Sequence, residues 1–202
     1  MATSRYNEFV NVGIKILSTA LLALSVSAAF AEAPTADSLM ATANAKAKKE
    51  HKNVLVIFHA SWCGWCHKLD DMLASKEVGP TMAKAYVVVH MVIDESKEHK
   101  AEENAGGDKL RVTLKGEKAG LPFFAVLTPA GKNLGTSIHP KTGNVGYPAA
   151  PNEIAHFMDL MKLSSPMLSD KERASIESYL KETAIRQKLV PAPAPGSPAR
   201  SK

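Results

Sequence analysis

The sequence predicts an α/β domain, with a central mixed β-sheet flanked by helices and an extra helix at the C-terminal end. Runs of β-branched and aromatic residues of strand length alternate with segments of helical spacing. Such continuous apolar runs suit strands buried on both faces, as in a sheet covered by helices. The 202 residues, of which 45% are hydrophobic, are enough for one core of ordinary size with additions.

The predicted elements of the first half surround a pair of cysteines. Residues 38–51 are rich in Ala and Lys, with apolar residues on one side, which predicts an amphipathic helix. We expect three buried strands, then a turn and an antiparallel partner strand, over 54–58, 86–93, 123–127 and 134–138. Between the first two strands we expect two helical pieces, over 68–74 and about 77–84, the second broken near Gly79-Pro80.

The second half is predicted to end in two helices. Asn152 is the expected cap of the first, which runs to about residue 163. Ser169 is the expected cap of the second, which reaches about residue 189, and Glu172 completes a capping box. The polar, Gly-containing stretch 94–119 is expected to form an exposed loop or short helix.

The N-terminal segment has the pattern of a signal peptide. Arg5 and Lys15 precede an uncharged apolar run over 16–29, and Ala29-Phe30-Ala31 is a small-x-small cleavage signature. A spanning helix needs about 20 apolar residues, so the run is short for a permanent anchor, which is the alternative. We expect cleavage after Ala31, a periplasmic or secreted protein, and membrane contact only through the signal peptide.

The remaining chain is divided on composition into three parts. They are a main domain over 32–165, a C-terminal helix within 166–189 and a disordered Pro-rich tail over 190–202.

The formal charge of +5 is moderate, and basic residues are scattered among acidic ones. We therefore expect no nucleic-acid partner.

The only two cysteines lie in one C-x-x-C motif, as Cys63 and Cys66. A bridge this short closes almost no loop, so it removes little entropy from the unfolded chain and is better explained by chemistry. Cys63 falls where a strand ends and a helix begins, and a helix N-terminus stabilises a thiolate. We expect Cys63 to be the attacking sulfur and Cys66, one turn deeper, to resolve the mixed disulfide.

Trp62-Cys63-Gly64-Trp65-Cys66 resembles the W-C-x-x-C active site of the thioredoxin superfamily. Gly120-Leu121-Pro122-Phe123 is similar to the family's cis-proline segment, and the match covers roughly residues 38–163. The resemblance implies a thioredoxin-like fold and a thiol–disulfide oxidoreductase. It also implies that Pro122 faces the disulfide, that Leu121 offers backbone hydrogen bonds to a substrate strand, and that Gly146 lines the substrate groove.

The residues flanking the cysteines are further candidates for substrate binding. Trp62 and Trp65 beside an exposed redox pair are expected to form an apolar rim that contacts substrate chains, although tryptophan is also common in cores. Gly64 lies between the two cysteines, and we expect it to contact the substrate together with the two tryptophans. Gly64 and Trp65 are also expected to tune the reduction potential.

The sequence departs from the family at the expected proton acceptor. Ile57 stands where the family usually has a buried Asp, and His90 stands where it has a lysine. Imidazole titrates near neutral pH, so His59, His67 and His90 are candidates for proton transfer, with surface or packing histidines as the alternative. The stretch 94–119 lengthens the Cys-to-Pro separation, either to shape substrate choice or as a solvated insertion.

The predicted activity is disulfide exchange with protein thiols and disulfides outside the cytoplasm. No organic cofactor and no metal are expected, because the two sulfurs of the redox-active disulfide carry both electrons. We favour a reductase, recharged by an unidentified redox partner such as a membrane reductant, although the sequence leaves the direction of electron flow open.

Three other readings of the same residues stay open. Cys63 to His67 spell C-x-x-C-H, the attachment motif of c-type haem, with His67 as axial ligand. A buried strand running into the motif and the unexplained Pro122 segment argue against haem. A copper or zinc site could use Cys63, Cys66, His67 and His59, but no second metal motif completes it. A thioredoxin-like module that binds partners without turnover is the third reading.

Overall fold

The structure of the protein is a computed structural model, and it describes residues 32–189. The predicted signal peptide and the Pro-rich tail lie outside the described residues. Within 32–189, none of the helices is both long and apolar enough to traverse a lipid bilayer.

A four-stranded mixed sheet forms the centre of the domain. Its strands are β1 (Asn53–His59), β2 (Tyr86–Val92), β3 (Phe123–Leu127) and β4 (Asn133–Thr136), in the spatial order β2-β1-β3-β4. The β1–β2 pair is parallel, whereas β3 runs antiparallel to both β1 and β4. The predicted α/β class with a mixed sheet is therefore confirmed.

Six α-helices accompany the sheet in the described part of the chain. They are α1 (Ala36–Glu50), α2 (Gly64–Ala74), α3 (Gly79–Ala85), α4 (Gly107–Thr113), α5 (Pro151–Ser164) and α6 (Asp170–Arg186). A 3-10 helix at Lys97–Glu102 precedes α4. The extra C-terminal helix is confirmed as α6, which begins after Ser169 with the predicted capping box to Glu172.

The two faces of the sheet carry separate apolar cores. Side chains alternate along a strand, so Val54, Val56 and Phe58 of β1 pack on the face covered by α1. Leu55 and Ile57 point to the opposite face, where they join apolar residues of α2, α3, α5 and α6. Because α2 lies on the face of Ile57, the cysteine motif at its start is held at the end of β1.

Two predicted helix boundaries are wrong, and proline explains both. The helix α5 begins at Pro151 after the cap residue Ala150, so Asn152 is inside the helix instead of capping it. Gly79-Pro80 starts α3 instead of breaking a helix. Proline is tolerated in the first helical turn because its missing N–H would have no intrahelical partner there.

The strand predicted over 134–138 is divided in two. Ser137 is buried, and its N–H donates to the carbonyl of Phe124 while its hydroxyl accepts the N–H of Phe124. Beyond it the chain leaves the main sheet and forms a second, two-stranded sheet from β5 (Ile138–His139) and β6 (Gly143–Asn144). The region 139–151, predicted as loop, therefore contains a short strand.

The stretch 94–119 is tied to the domain rather than freely solvated. Asn104 is buried, accepts the N–H of Val92 at 2.7 Å and donates to the carbonyl of Pro34 at 2.8 Å. Leu114 is buried with the core on the α1 side of the sheet. These anchors fix the position of the stretch beside the cysteine motif.

Candidate active site

Cys63 and Cys66 form a disulfide at the start of α2. Cys63 is the N-cap residue and Cys66 lies in the first turn, where its N–H donates to the Sγ of Cys63 at 3.2 Å. Both cysteines are buried, with 4% and 1% exposure, so the expectation of an exposed redox pair is wrong. A backbone N–H aimed at Sγ of Cys63, together with the helix N-terminus, would stabilise a thiolate there in the reduced protein.

The two tryptophans lie at the surface beside the disulfide. Trp62 is 61% exposed and Trp65 is 47% exposed. The indole Nε1 of Trp62 donates to the carbonyl of Asp94 at 2.8 Å, and the ring of Trp65 stacks on that of Tyr147 with centroids 6.3 Å apart. A Cβ added at Gly64 would meet no atom within 4 Å, so packing does not require glycine there.

Leu121, which precedes the proline predicted to face the disulfide, packs against the two cysteines. Leu121 contacts the cluster formed by Ala60, Cys63 and Cys66, and the Leu121–Pro122 peptide bond is cis. Gly146 has a positive φ of 59°, and a Cβ there would lie 3.4 Å from the carbonyl oxygen of Pro122. The close approach and the left-handed backbone both favour glycine.

A cleft of about 340 Å³ runs beside the disulfide. Its walls include Trp65, Leu121, Pro122, Gly146 and Tyr147. Four of the predicted site residues thus line one cavity. The sequence analysis missed Tyr147, whose only signal is its place next to Gly146. Burial raises the pKa of its hydroxyl to about 12, so the side chain is neutral at physiological pH.

The structure brings two of the three predicted histidines together. His59 and His90 lie on the α2 face of the sheet with ring centroids 5.0 Å apart, and Nε2 of His90 is 2.8 Å from Oδ1 of Asp70. His90 is paired with Ile57 in the β1–β2 register. His67 lies apart from them at the surface of α2, where its Nε2 is 2.9 Å from the carbonyl oxygen of Ser61.

His59 is the histidine of this group with an unpartnered buried nitrogen. Within residues 32–189 its Nε2 has no hydrogen-bond partner. Burial, and then the neighbouring His90, lower its pKa below the ordinary value of 6.5. The ring is therefore neutral at pH 7 and able to accept a proton.

The lowered pKa of His59 predicts a loss of stability in mild acid. The unfolded chain binds a proton at His59 near pH 6.5, before the folded protein does, so the free energy of unfolding falls as the pH is lowered through that value. We expect His59→Gln to reduce the difference between the free energies of unfolding at pH 7.5 and pH 5.5, measured by urea titration.

His99→Gln is the matched control for that experiment. The hydrogen bond to Glu102 raises the pKa of His99, so this exposed histidine contributes stability at low pH that is lost as the pH rises. Replacing His99 should leave the acid-induced fall in the free energy of unfolding unchanged or make it steeper. An unchanged pH dependence in His59→Gln would contradict the assignment.

Glu95 is a site residue that the sequence analysis missed. Its carboxylate accepts the N–H of Ser61 at 2.5 Å and the hydroxyl of Ser61 at 2.7 Å. Burial acts to raise the pKa of Glu95, but the two hydrogen bonds from Ser61 outweigh it and the pKa is lowered. An ionised carboxylate from the stretch 94–119 thus holds the loop two residues before Cys63.

The described residues contain no group of three or more His, Cys, Asp or Glu side chains placed to hold a metal ion. The sulfurs that the haem and metal readings would use are bonded to each other. What the arrangement offers chemically is a disulfide at a helix N-terminus, an apolar rim and an adjacent cleft.

A mixed sheet with a cysteine pair at the start of the helix after β1 is typical of thioredoxin-fold proteins. Residues 35–129 match a family model described as thioredoxin-like. This range contains the cysteine pair, the Pro122 segment and the strands β1 to β3. The resemblance to thioredoxin-like proteins that the sequence motif predicted is therefore confirmed over this range.

Several solved structures resemble this chain at low identity. A disulphide isomerase from Xylella fastidiosa Temecula1 is 19% identical, with a TM-score of 0.41 over 70% of this chain and 86% of that one. A DsbH oxidoreductase is 20% identical, with a TM-score of 0.41 over 65% and 85%. The oxidised C-terminal domain of Neisseria meningitidis DsbD is 20% identical, with a TM-score of 0.38 over 64% and 98%. No curated protein matches the chain.

Proposed function

We propose that this protein is an exported thiol–disulfide oxidoreductase that reduces disulfides of other proteins through Cys63 and Cys66. The observation that carries the proposal is the disulfide at the N-terminus of α2, beside a cleft lined by Leu121 and Pro122. A disulfide between residues three apart adds little to the stability of the fold, so redox chemistry accounts for it better.

The proposed reaction starts from the reduced protein. The thiolate of Cys63 attacks one sulfur of a substrate disulfide, forming a mixed disulfide and releasing the other substrate sulfur as a thiolate. The thiol of Cys66 then loses its proton and attacks Sγ of Cys63. The second substrate sulfur leaves, the Cys63–Cys66 disulfide forms, and the substrate has gained two electrons and, from solvent and Cys66, two protons.

Among the three candidate histidines, we propose His59 as the group that accepts the proton of Cys66. Its position follows Ile57 by two residues on β1, so both side chains lie on the sheet face that α2 covers. Its Nε2 is buried without a partner within residues 32–189, and its lowered pKa leaves the ring neutral. His67 already points its Nε2 at the carbonyl of Ser61.

The cleft suits an extended polypeptide as substrate. Trp65, Tyr147 and Leu121 offer apolar surface to the cleft, and the rings of Trp65 and Tyr147 stack on each other. Large aromatic side chains contribute contact area with little loss of side-chain freedom. We propose that Trp62, Gly64, Trp65, Leu121, Pro122 and Gly146 form the substrate-contacting surface.

The proposed setting is the periplasm or the exterior of the cell. It depends on the N-terminal segment, which we propose is a signal peptide cleaved after Ala31. The reaction needs no organic cofactor, because the sulfurs carry the electron pair. It does need a dithiol reductant to regenerate the reduced protein, and we propose a membrane-bound one.

Trapping of a mixed disulfide by Cys66→Ser tests the proposal. Mixed with a disulfide-bonded model protein such as insulin, the reduced variant should form a covalent adduct through Cys63, because the resolving sulfur is absent. The adduct should disappear on treatment with dithiothreitol. The double variant with serine at both positions is the control and should form none. An unreactive Cys63, with no insulin reduction by the native sequence, would contradict the proposal.

The direction of electron flow follows from the reduction potential of the pair. We expect equilibration in dithiothreitol buffers to give a value near that of thioredoxin, about −270 mV. A value near that of the strong oxidant DsbA, about −120 mV, would instead make the protein a disulfide donor.

A further inference from the structure

The side chain of Asn144 is hydrogen-bonded to the segment that faces the disulfide. Its Nδ2 donates to the carbonyl of Gly120 at 2.7 Å and to the carbonyl of Pro122 at 3.0 Å. Carbonyl oxygens can only accept, so the amide nitrogen must face them and both of its hydrogens are used. The two bonds lie on either side of Leu121.

The other end of the same amide is fixed to the sheet. Oδ1 of Asn144 accepts the hydroxyl of Ser137 at 2.6 Å, and that hydroxyl oxygen accepts the N–H of Phe124 at 3.0 Å. Phe124 and Ser137 are both buried, and Phe124 belongs to β3. A continuous chain of hydrogen bonds therefore runs from the main sheet to the backbone on both sides of Leu121.

Leu121 itself is left free by this arrangement. Neither its N–H nor its carbonyl has a backbone hydrogen-bond partner among residues 32–189. The side chain of Leu121 packs against the cysteine cluster, and Leu121 also lines the cleft. An extended polypeptide in the cleft could pair with these two groups in the manner of an added β-strand.

We propose that Asn144 is a positioning residue for protein substrates: it holds the carbonyls of Gly120 and Pro122, so that the N–H and the carbonyl of Leu121 stay available to a chain in the cleft. The proposal rests on the proposed function, because it concerns the substrate of the same site. Asn144 does not touch the sulfurs, so its contribution is to binding an extended chain and not to the chemistry of the disulfide.

Asn144→Asp tests this role with little change in size. A carboxylate still accepts the hydroxyl of Ser137, but it has no hydrogen to donate to the carbonyls of Gly120 and Pro122. We expect KM for insulin to rise about tenfold, the effect of losing one to two hydrogen bonds. In Asn144→Ala, which adds no charge, the rate with hydroxyethyl disulfide, a small disulfide without a peptide backbone, and the reduction potential should both stay unchanged.

Asn133→Asp is the matched control, because Oδ1 of Asn133 accepts the N–H of Gly135 and a carboxylate can do the same. It should leave both rates unchanged. Asn144→Ala removes the bonds without adding a charge, and it keeps the test available if the aspartate variant does not fold.

Two results would overturn the proposal. One is an unchanged KM for insulin in both Asn144 variants. The other is an equal loss of rate with insulin and with hydroxyethyl disulfide, which would indicate a general distortion of the site. Failure of the native sequence to exchange disulfides with either probe would instead overturn the proposed function, so the two failures are distinguishable.

Discussion

Cys63→Ser should lower the rate of insulin reduction by more than about a thousandfold, as expected for the loss of an attacking nucleophile. A serine hydroxyl is not ionised at neutral pH and cannot form the mixed disulfide. The fold should survive, because position 63 is the N-cap of α2 and serine is a preferred N-cap residue. The measurement is the initial rate with dithiothreitol as reductant, with the far-ultraviolet circular dichroism spectrum as the check on folding.

The comparison with Cys66→Ser makes the test specific. Both variants lose turnover, but only Cys66→Ser keeps the sulfur that attacks, so only it should form the adduct with insulin. If Cys63→Ser formed the adduct and Cys66→Ser did not, the assigned roles of the two cysteines would be reversed. If Cys63→Ser kept a tenth of the native rate, the pair would not carry the activity.

Gly116→Ala should be the most damaging single-methyl change among the loop glycines near the site. An added Cβ would lie 2.3 Å from Cε1 of Phe123 and 2.6 Å from two more atoms of that ring. Phe123 is fully buried at the start of β3, with its ring 5.4 Å from that of Phe58. An added methyl group in a packed core forces side chains to shift, so we expect a loss of about 1–3 kcal/mol in the free energy of unfolding.

Gly120→Ala provides the control for this prediction. It is the same chemical change four residues later, and its Cβ would meet no atom within 4 Å. We expect its free energy of unfolding to stay within about 0.5 kcal/mol of the native value. Equal midpoints for the two variants in guanidinium unfolding would contradict the prediction, because they would show that the ring of Phe123 moves to accommodate the added methyl group.

The parts of the fold that the sequence predicted are those specified by neighbouring residues. The apolar run of β1 ends one turn before the helix that carries Cys66, so the placement of the motif between a strand and a helix could be recognised directly. The capping box of Ser169 and Glu172 lies within four residues. Local patterns of this kind require no knowledge of the tertiary structure.

The parts that the sequence did not predict depend on distant contacts. Glu95 contacts Ser61 across 34 positions, and Asn144 contacts Gly120 across 24. In each case the role of a common polar residue depends on a hydrogen-bond partner that is distant in the sequence. The same reason explains the division of the strand over 134–138, where the hydrogen bonds of Ser137 to Phe124 come from a neighbouring strand.

The link between Glu95 and Ser61 has a consequence for variation among related chains. The buried carboxylate and the carbonyl of Asp94 belong to the connection after β2, yet they bond to the two residues directly before Cys63. A substitution or a change of length in that connection therefore alters the charge and the mobility next to the sulfur while leaving the five-residue motif intact. Two proteins with an identical W-C-G-W-C sequence can in this way differ in reactivity, and the connection is the region to compare.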